Sequence, residues 1–287
     1  MPELPEVETI ARALRNGGRD GEPISGNTIR GVRLLWERTL ATPDRITFNS
    51  RLLGQRIVDV TRRGKFLIII LNQDTLLVHL RMSGDIRVEK AFSKDGLEAP
   101  PLTHDRLIID FDKNGPEGLR MAFNDPRKFG RVWLVRDLAE VLGNLGPEPL
   151  ADDFLAVHFF QSLHALKRTI KPLLMDQSFL AGLGNIYTDE ALYLAGIHPL
   201  RSSASISAEE SEGLWNSIRF VLNEGIRRNG ASIDWVYRGG DFQNTFHVYQ
   251  RTGEPCLRCG AEITRIVIGQ RGTHFCPSCQ PMHPSNS

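Results

Sequence analysis

The chain has 287 residues, of which 41% are hydrophobic and 24% charged, with a formal net charge of +1. This composition is that of a globular protein with one large or two ordinary domains. The longest apolar run, FLIIIL at residues 66–71, is too short to span a membrane, and the N-terminus lacks the positive-then-apolar pattern of a secretory signal. We therefore expect a cytoplasmic protein with no membrane partner.

Arginine is much more frequent than lysine in this chain, with 28 residues against 7. Residues 219–279 contain eight arginines, no lysine and five acidic residues. Arginine binds phosphates and base edges in a bidentate manner. The pattern is compatible with a nucleic-acid-binding face, and also with a bias in genomic composition.

The opening sequence MPELPEVETI leads into a helix. Apolar residues recur at helical spacing, namely Val7, Ile10, Ala11 and Leu14. This spacing predicts an amphipathic helix over residues 6–15, with Pro5 suited to the first helical position.

Residues 29–135 contain short β-rich runs separated by turn residues. The runs are RIVDV, FLIII, TLLVHL, DIRVE, RLIIDF and RVWLV. Their close spacing favours a β-sandwich or barrel over a parallel α/β sheet.

Three segments of this β-rich part carry side chains suited to DNA. In FNDPRKFG (123–130), Arg127 and Phe129 lie on a turn set by Pro126. A protruding arginine–aromatic pair can fill a gap in a base stack, but the phenylalanine could also fold back into the core. Met82 in HLRMSG allows the same two interpretations. Lys65 in RRGKFL is either a solvated edge residue or aimed into a cleft.

The segment NLGPEPLADD (144–153) is typical of a linker, and helical patterns follow it. Ser207 and Glu210 have the form of a capping box at the start of one helix. In LAGLGNIYTDEALYLAGIHP, a Gly-x-Gly-Asn turn opens another helix. Free backbone N–H groups and Asn185 could hold a phosphate there, although a tight helix–helix turn can have the same sequence.

The four cysteines of the chain form two CxxC pairs separated by sixteen residues, which is zinc-ribbon spacing. They are Cys256, Cys259, Cys276 and Cys279. Four thiolates complete a tetrahedron with no open position, so the zinc would be structural; disulfides, the alternative, are rare in the cytosol. Between the pairs, two strands around a turn at residues 269–272 place Arg271 at the tip. Arg271 either grips a phosphate or is a solvated turn residue.

Together these segments resemble the formamidopyrimidine-DNA glycosylase family of bacterial base-excision repair enzymes, which remove oxidised purines such as 8-oxoguanine. The resemblance runs in order from residue 2 to about residue 280. It rests on PELPEVET, RRGKFL, HLRMSG, NDPRKFG, LGPEPL, IKPLLMDQ, AGLGNIYTDEALYLAGIHP and the CxxC…CxxC end.

The resemblance implies an α+β, two-domain fold with one structural Zn²⁺. The expected parts are an N-terminal catalytic β-sandwich domain with flanking helices (1–143), a linker (144–153), a helix-two-turn-helix DNA-binding domain with a lesion-capping loop (154–250), a zinc-ribbon finger (251–280) and a disordered tail (281–287). The expected partner is double-stranded DNA containing oxidised bases. We further expect a monomer located at the nucleoid of a bacterial cytoplasm.

The resemblance also implies a bifunctional glycosylase and lyase. Pro2, exposed once Met1 is removed, would be the nucleophile that forms an iminium intermediate with the damaged deoxyribose. Glu3 would be the general acid, and Glu6 would position water or hold the N-terminus. Lys65 would serve β-elimination, and Arg271 would grip the lesion's phosphate and assist δ-elimination.

For DNA binding, the resemblance implies that Met82, Arg127 and Phe129 fill the vacated stack, with Arg127 reading the opposite cytosine. Further DNA or phosphate contacts are expected from His79, His104, Lys167, Asn185 and Tyr249.

Two departures from the family pattern bear on these expectations. The usual Tyr-Gly-Arg before the zinc module is here Tyr249-Gln250-Arg251, which puts the local turn in doubt. The loop over residues 231–246 is shorter than in many members, so base recognition there would rest on Trp235, Tyr237 or Arg238.

Two other functions remain open at this point. One is an endonuclease VIII-like enzyme that prefers oxidised pyrimidines, and the other is a non-catalytic damaged-DNA-binding protein on the same scaffold. PELPEVET and the complete set of Met82, Arg127 and Phe129 argue for the purine-specific branch.

Overall fold

The computed structural model describes residues 1–112, 117–232 and 239–282. The chain divides into two compact units. The first unit comprises Met1–Gly143 and Asn229–Gly240, and the second comprises Asn144–Arg228 and Asp241–Ser287. Within the described ranges, no helix has the length and apolar character needed to cross a membrane.

The first unit is a β-sandwich with helices. Its elements in chain order are α1 (Leu4–Asn16), β1 (Ile29–Leu34), β2 (Leu40–Thr42), α2 (Arg45–Leu52), β3 (Ile57–Arg63), β4 (Phe66–Leu71), β5 (Thr75–His79), β6 (Asp85–Glu89), β7 (Asp105–Phe111), β8 (Leu119–Asn124), β9 (Arg131–Val135) and α3 (Ala139–Leu142). One sheet has the order β1-β7-β8-β6 and the other β2-β9-β5-β4-β3. Neighbouring strands are antiparallel except for the β2–β9 pair.

Both sheets and α1 contribute to one apolar core. Its members include Val7, Ile10 and Leu14 from α1, Leu67, Ile69, Leu76 and Val78 from one sheet, and Leu107, Ile109, Met121 and Phe123 from the other. Burying alternate residues of each strand is the arrangement of a two-layer sandwich. The predicted sandwich is therefore confirmed.

Helix α1 begins two residues earlier than its apolar spacing indicates, at Leu4, with Glu3 as the N-cap residue. The cause is the Glu3–Glu6 pair, in which the Glu3 N–H donates to Glu6 Oε2 at 2.7 Å and occupies one of the orphan donors of the first turn. The helix ends at Asn16, and Gly17 caps it with a φ of 84°, which a residue with a Cβ rarely adopts.

The second unit is helical and ends in a β-hairpin. Its elements are α4 (Ala156–His164), α5 (Ile170–Met175), α6 (Asn185–Leu194), α7 (Ala208–Arg227), β10 (Thr264–Ile268) and β11 (Arg271–Phe275). The predicted capping box of α7 is confirmed, because Ser207 Oγ accepts from the Glu210 N–H and Glu210 accepts from the Ser207 N–H. Helix α6 is buried from Ile186 to Tyr193 and contacts α5, α7 and β11 of this unit.

The hairpin turn is tighter than predicted. Ile268 pairs directly with Arg271, which leaves Gly269 and Gln270 as the two turn residues, with φ of 54° and 62°. Two consecutive residues with positive φ match the right-handed twist of a two-residue hairpin. The prediction of a turn over residues 269–272 is therefore wrong, and Arg271 is the first residue of β11.

Candidate functional site

Two carboxylates are buried at the start of α1. Glu3 and Glu6 are each 2% exposed. The two carboxylate oxygens of Glu6 accept from different backbone segments: Oε2 from the Glu3 N–H and Oε1 from the Ala231 N–H, both at 2.7 Å. Glu6 therefore holds the backbone just after Pro2 against the segment that contains Ala231.

Glycine is needed where this segment meets Glu6. Gly230 has a φ of 82°, and a Cβ at this position would lie 2.6 Å from Glu6 Oε1. A Cβ on Gly240 would lie 2.4 Å from the Gly230 carbonyl oxygen, and the Gly240 N–H donates to Ser232 Oγ at 2.8 Å. The backbone at residue 230 thus packs directly against that at residue 240. Trp235, Tyr237 and Arg238, between them, lie outside the described residues.

Lys65 and His79 lie on neighbouring strands of the first unit. Lys65 directly precedes β4 and is 5% exposed, so it is not a solvated edge residue. Phe66 pairs with His79 in the β4–β5 register, and their rings meet edge to face with centroids 4.7 Å apart.

The imidazole of His79 is neutral. Its Nδ1 accepts from the Arg81 N–H at 3.0 Å, which assigns the ring proton to Nε2. Burial, together with the positive charges of Arg81 and Lys65, lowers the pKa of His79 to about 3. At neutral pH this side chain can donate a hydrogen bond through Nε2 without adding charge.

The turn after β8 presents three side chains to solvent. Arg127, Lys128 and Phe129 are all exposed, with half of the Phe129 surface accessible. The guanidinium carbon of Arg127 lies 5.1 Å from the centroid of the Phe129 ring. Phe129 therefore does not fold back into the core. Met82, in the separate turn after β5, is partly buried.

A buried carboxylate that the sequence interpretation missed fixes both turns. Asp125 is 1% exposed. Its Oδ1 accepts from Ser83 Oγ at 2.5 Å and from the Arg127 N–H at 3.2 Å, and its Oδ2 accepts from the Gly130 N–H at 2.7 Å. Since Ser83 adjoins Met82, Asp125 connects the turn of Met82 to the turn of Arg127 and Phe129. The Asp-Pro pair, a frequent turn signal, could have identified it.

The ring of Phe123 lies beneath the same two turns. A Cβ on Gly84 would come within 2.8 Å of this ring, and one on Gly130 within 2.3 Å. Each turn thus ends in a glycine that lies directly against the aromatic ring. Exposed His104 lies next to the turn of Arg127 and Phe129, because the carbonyl oxygen of His104 accepts from the Asp125 N–H at 2.9 Å.

In the second unit, Glu190 of α6 holds the segment that contains Tyr249. This buried carboxylate accepts from the backbone N–H groups of His247, Val248 and Tyr249 at 2.9–3.1 Å. The next residue, Gln250, has a φ of 59°, the conformation that glycine adopts most easily. The turn that the missing glycine put in doubt is therefore left-handed at Gln250.

The adjacent Asp189 holds the hairpin. It accepts from buried Lys171 Nζ at 2.6 Å and from the His274 N–H at 2.9 Å. Lys171 also donates to Thr273 Oγ1 at 2.8 Å. This buried ion pair joins α5, α6 and β11, and the two adjacent acids in the mostly apolar sequence of α6 are the signal that could have identified it.

Asn185, the first residue of α6, contacts the hairpin next to Arg271. Its Nδ2 donates to the Gly272 carbonyl at 3.0 Å, and Arg271 itself is exposed. The buried Oδ1 of Asn185 has no hydrogen-bond partner among the described residues. The arrangement leaves a polar atom at the N-terminus of α6 able to accept a further donor. Lys167, also in this unit, is exposed after α4.

The four cysteines form one cluster whose sulfur atoms all lie within 4.8 Å of one another. The Cys256–Cys279 and Cys259–Cys276 sulfur distances are 3.8 and 3.5 Å. A zinc ion with four bonds of about 2.3 Å requires sulfur–sulfur distances of about 3.8 Å. The predicted single structural zinc ion fits this cluster, and it would join the two ends of the hairpin module.

Family models match along most of the chain. Residues 1–132 match the formamidopyrimidine-DNA glycosylase N-terminal domain, residues 145–236 match its H2TH domain, and residues 253–281 match a zinc finger found in FPG and IleRS.

Among whole proteins, the formamidopyrimidine-DNA glycosylases of Herpetosiphon aurantiacus and Heliobacterium modesticaldum are both 44% identical to this chain. Each alignment covers 98% of this chain and 100% of the relative.

Solved structures give the same result. A structure of MutM in complex with DNA containing carbocyclic 8-oxo-G superimposes with a TM-score of 0.86 at 38% identity, covering 98% of this chain and 100% of that one. The Lactococcus lactis Fpg (MutM) bound to DNA containing Fapy-dG has a TM-score of 0.86 at 37% identity, covering 97% and 100%. The chain therefore belongs to the formamidopyrimidine-DNA glycosylase family.

Proposed function

We propose that this protein is a bifunctional DNA glycosylase and abasic-site lyase that excises oxidised purines, such as 8-oxoguanine and formamidopyrimidines, from duplex DNA. The observation that carries the proposal is a proline at position 2 followed by two carboxylates, Glu3 and Glu6, that are each 2% exposed. The relatives' names and the damaged purines in their DNA complexes support the substrate class.

In the proposed reaction Pro2 attacks after removal of Met1. Its amine must be neutral, and an α-amino group has a pKa near 8 in reference peptides. The positive end of the α1 dipole favours the neutral form. As the Pro2 nitrogen bonds to C1′, the glycosidic bond breaks and its electron pair leaves with the base, which takes up a proton. The nitrogen then loses its own proton, Glu3 protonates the ring oxygen, and the nitrogen lone pair opens the C1′–O4′ bond to give the iminium.

Strand cleavage follows from this iminium, because it acidifies the adjacent carbon. We assign β-elimination to Lys65, and δ-elimination with the grip on the phosphate to Arg271. Glu6 is assigned to holding the reactive terminus, which agrees with its two backbone acceptor contacts.

For DNA binding, we assign Met82, Arg127 and Phe129 to the gap left by the lesion, with Arg127 reading the opposite cytosine. His79, His104, Lys167, Asn185 and Tyr249 are assigned to DNA or phosphate contacts. The N-terminus of α6 at Asn185 suits a phosphate because the positive end of the helix dipole lies there. We place the protein in the cytoplasm at the bacterial nucleoid, as a monomer, with domains at 1–143, 154–250 and 251–280.

Borohydride trapping tests this function directly, because hydride reduces the iminium to a stable covalent adduct with DNA. Wild-type protein should give an adduct with duplex containing 8-oxoguanine opposite cytosine, and far less with thymine glycol. Pro2→Gly, which removes the cyclic secondary amine, should lower the adduct yield at least about a hundredfold. Pro5→Ala, a change of the nearby proline in the first turn of α1, should retain it.

Three outcomes separate the alternatives. No adduct with the wild-type protein on any lesion would leave only a damaged-DNA-binding protein. A clear preference for thymine glycol would assign the chain to the endonuclease VIII-like branch. An adduct that Pro2→Gly and wild type form equally well would exclude Pro2 as the nucleophile.

A further inference from the structure

We propose that Trp36 is a positioning residue for opposite-base recognition: its ring holds Lys128 and thereby orients the turn that presents Arg127 and Phe129. The inference rests on the proposed function, because it assigns Arg127 to the base opposite the lesion. No motif that predicted the site includes Trp36.

The conformation of Lys128 needs an explanation. Its φ is 62°, a region that a residue with a Cβ adopts rarely. Lys128 lies between the two exposed residues assigned to the gap in the DNA. Its backbone angles therefore set the relative directions of Arg127 and Phe129.

The contact that accompanies this conformation is a cation–π pair. The Lys128 ammonium lies 4.1 Å from the centroid of the Trp36 ring. Tryptophan is the most favourable aromatic partner for a cation, and the distance is well inside the roughly 6 Å limit for the attraction. The indole N–H of Trp36 is buried and has no hydrogen-bond partner in the described part of the chain. No hydrogen bond from this N–H therefore accounts for the orientation of the ring.

Trp36 is itself fixed to the strand that supports the turn. The backbone N–H groups of Leu35 and Trp36 donate to the Arg106 carbonyl at 2.9 and 3.3 Å. The Nε of the same Arg106 donates to the carbonyl of Asp125 at 2.8 Å. Buried Arg106 thus contacts the backbone of Trp36 and that of Asp125, the first residue of the turn. The same residue therefore supports both the Trp36 ring and the turn.

A different role for Lys128 makes a different prediction. If Lys128 only bound a phosphate, its removal would weaken binding to all duplexes by a similar factor and reduce the salt dependence by about one charge. Positioning acts instead on the geometry of Arg127. Loss of the contact between Lys128 and Trp36 should therefore reduce the preference for cytosine over adenine opposite the lesion, while binding to undamaged duplex changes little.

The experiment measures kcat/KM for 8-oxoguanine excision opposite cytosine and opposite adenine. Trp36→Leu and Lys128→Met should each reduce the cytosine-to-adenine ratio, by roughly three- to tenfold given the usual strength of a cation–π contact. Trp36→Phe keeps an aromatic face and should retain more of the ratio than Trp36→Leu. The double variant should be no worse than either single variant, because both remove the same contact.

Additive effects of the two substitutions would overturn the proposal, as would an unchanged ratio in Trp36→Leu. So would a uniform loss of binding in Lys128→Met with Trp36→Leu at the wild-type level. If Trp36→Leu does not fold, Lys128→Met and Trp36→Phe decide the matter, since Lys128 is exposed. Failure of the wild-type enzyme to excise 8-oxoguanine would instead refute the proposed function, so the two failures are distinguishable.

Discussion

The start of α1 and the turn at residues 125–130 place their functional side chains in opposite environments. Glu3 and Glu6 are almost completely buried, whereas Arg127 and Phe129 are exposed. A group that transfers protons benefits from burial, because water is excluded and fixed partners hold the group in position for the reacting atoms. A group that enters DNA must be exposed, so its conformation has to be fixed by buried residues. Here Asp125 does this, by accepting from the backbone N–H groups of Arg127 and Gly130.

The second unit repeats the arrangement of the exposed turn. Exposed Arg271 begins strand β11. The next two residues of this strand are held from inside the unit: the Gly272 carbonyl accepts from Asn185, and Thr273 Oγ1 accepts from buried Lys171. Asp189 and Glu190 in turn hold the hairpin and the segment of Tyr249 through backbone N–H groups. In both units, exposed residues proposed to contact DNA depend on buried carboxylates that cannot reach DNA themselves.

The largest effect on activity is expected at the buried carboxylates at the start of α1. Glu3→Gln keeps the size of the side chain but removes the proton that it donates, so excision of 8-oxoguanine should fall by at least about a hundredfold. Cleavage at a preformed abasic site should fall much less, because the abasic sugar opens to its aldehyde without a proton from Glu3. Single-turnover assays on both substrates measure the difference.

Glu8→Gln is the matched control, since Glu8 lies on the same helix and pairs with Arg12 and Arg62. It should leave excision within about threefold of wild type. Equal losses in Glu3→Gln and Glu8→Gln would mean that helix stability, rather than proton donation, explains the result.

The second effect concerns the anchor beneath the exposed turn. In the wild type, both carboxylate oxygens of Asp125 accept hydrogen bonds, three in total. In Asp125→Asn one of these oxygens becomes an NH2 group, which cannot accept a hydrogen bond and faces a donor. The free energy of unfolding should fall by about 3 kcal/mol, although the residues that Asp125 supports are exposed. Urea unfolding measures this change.

Asp137→Asn serves as its control, because the exposed Asp137 carboxylate accepts from the Ala139 N–H and Asn caps a turn equally well. The control should change stability by less than about 0.5 kcal/mol. Similar values for both variants would show that the turn does not depend on Asp125.

The smallest effect concerns pH and His79. The pKa of His79 is lowered to about 3 in the folded state, against about 6.5 in the unfolded chain. The neutral form stabilises the fold above pH 6.5, and this contribution is lost as pH falls from 6.5 toward 3. Between pH 7 and pH 5 the wild type should therefore lose about 2 kcal/mol more stability than His79→Gln. Unfolding by urea at the two pH values tests this, and parallel losses would contradict a neutral buried His79.

Local patterns predicted the elements whose residues carry their own signal. DIRVE and RVWLV match β6 and β9 in both bounds, and Ser207 marks the start of α7 as expected. The hairpin turn was misplaced because its register depends on Gln270 adopting a positive φ, which its residue type does not indicate. Strand β8, LRMAFN, was missed because it contains no β-branched residue and because its Arg120 is buried against Asp110 and Glu98.

The site divides in the same way. The order of family motifs identified the residues proposed to act on DNA. Asp125 and Asp189 were not identified, because their partners Ser83 and His274 lie 42 and 85 residues away in the sequence. Contacts at such separations exist only in the folded chain, so a local pattern can indicate a turn or a pair of acids but not the groups that these acids hold.

The hydrogen bond from Ala231 to Glu6 joins residues that are 225 positions apart. It also places Asn229–Gly240 in the same unit as the first 143 residues. During synthesis from the N-terminus, the ribosome must therefore complete residues 144–228 of the second unit before the first can close. The reactive terminus emerges first and is assembled late, so a truncated chain that ends before residue 231 lacks this bond to Glu6.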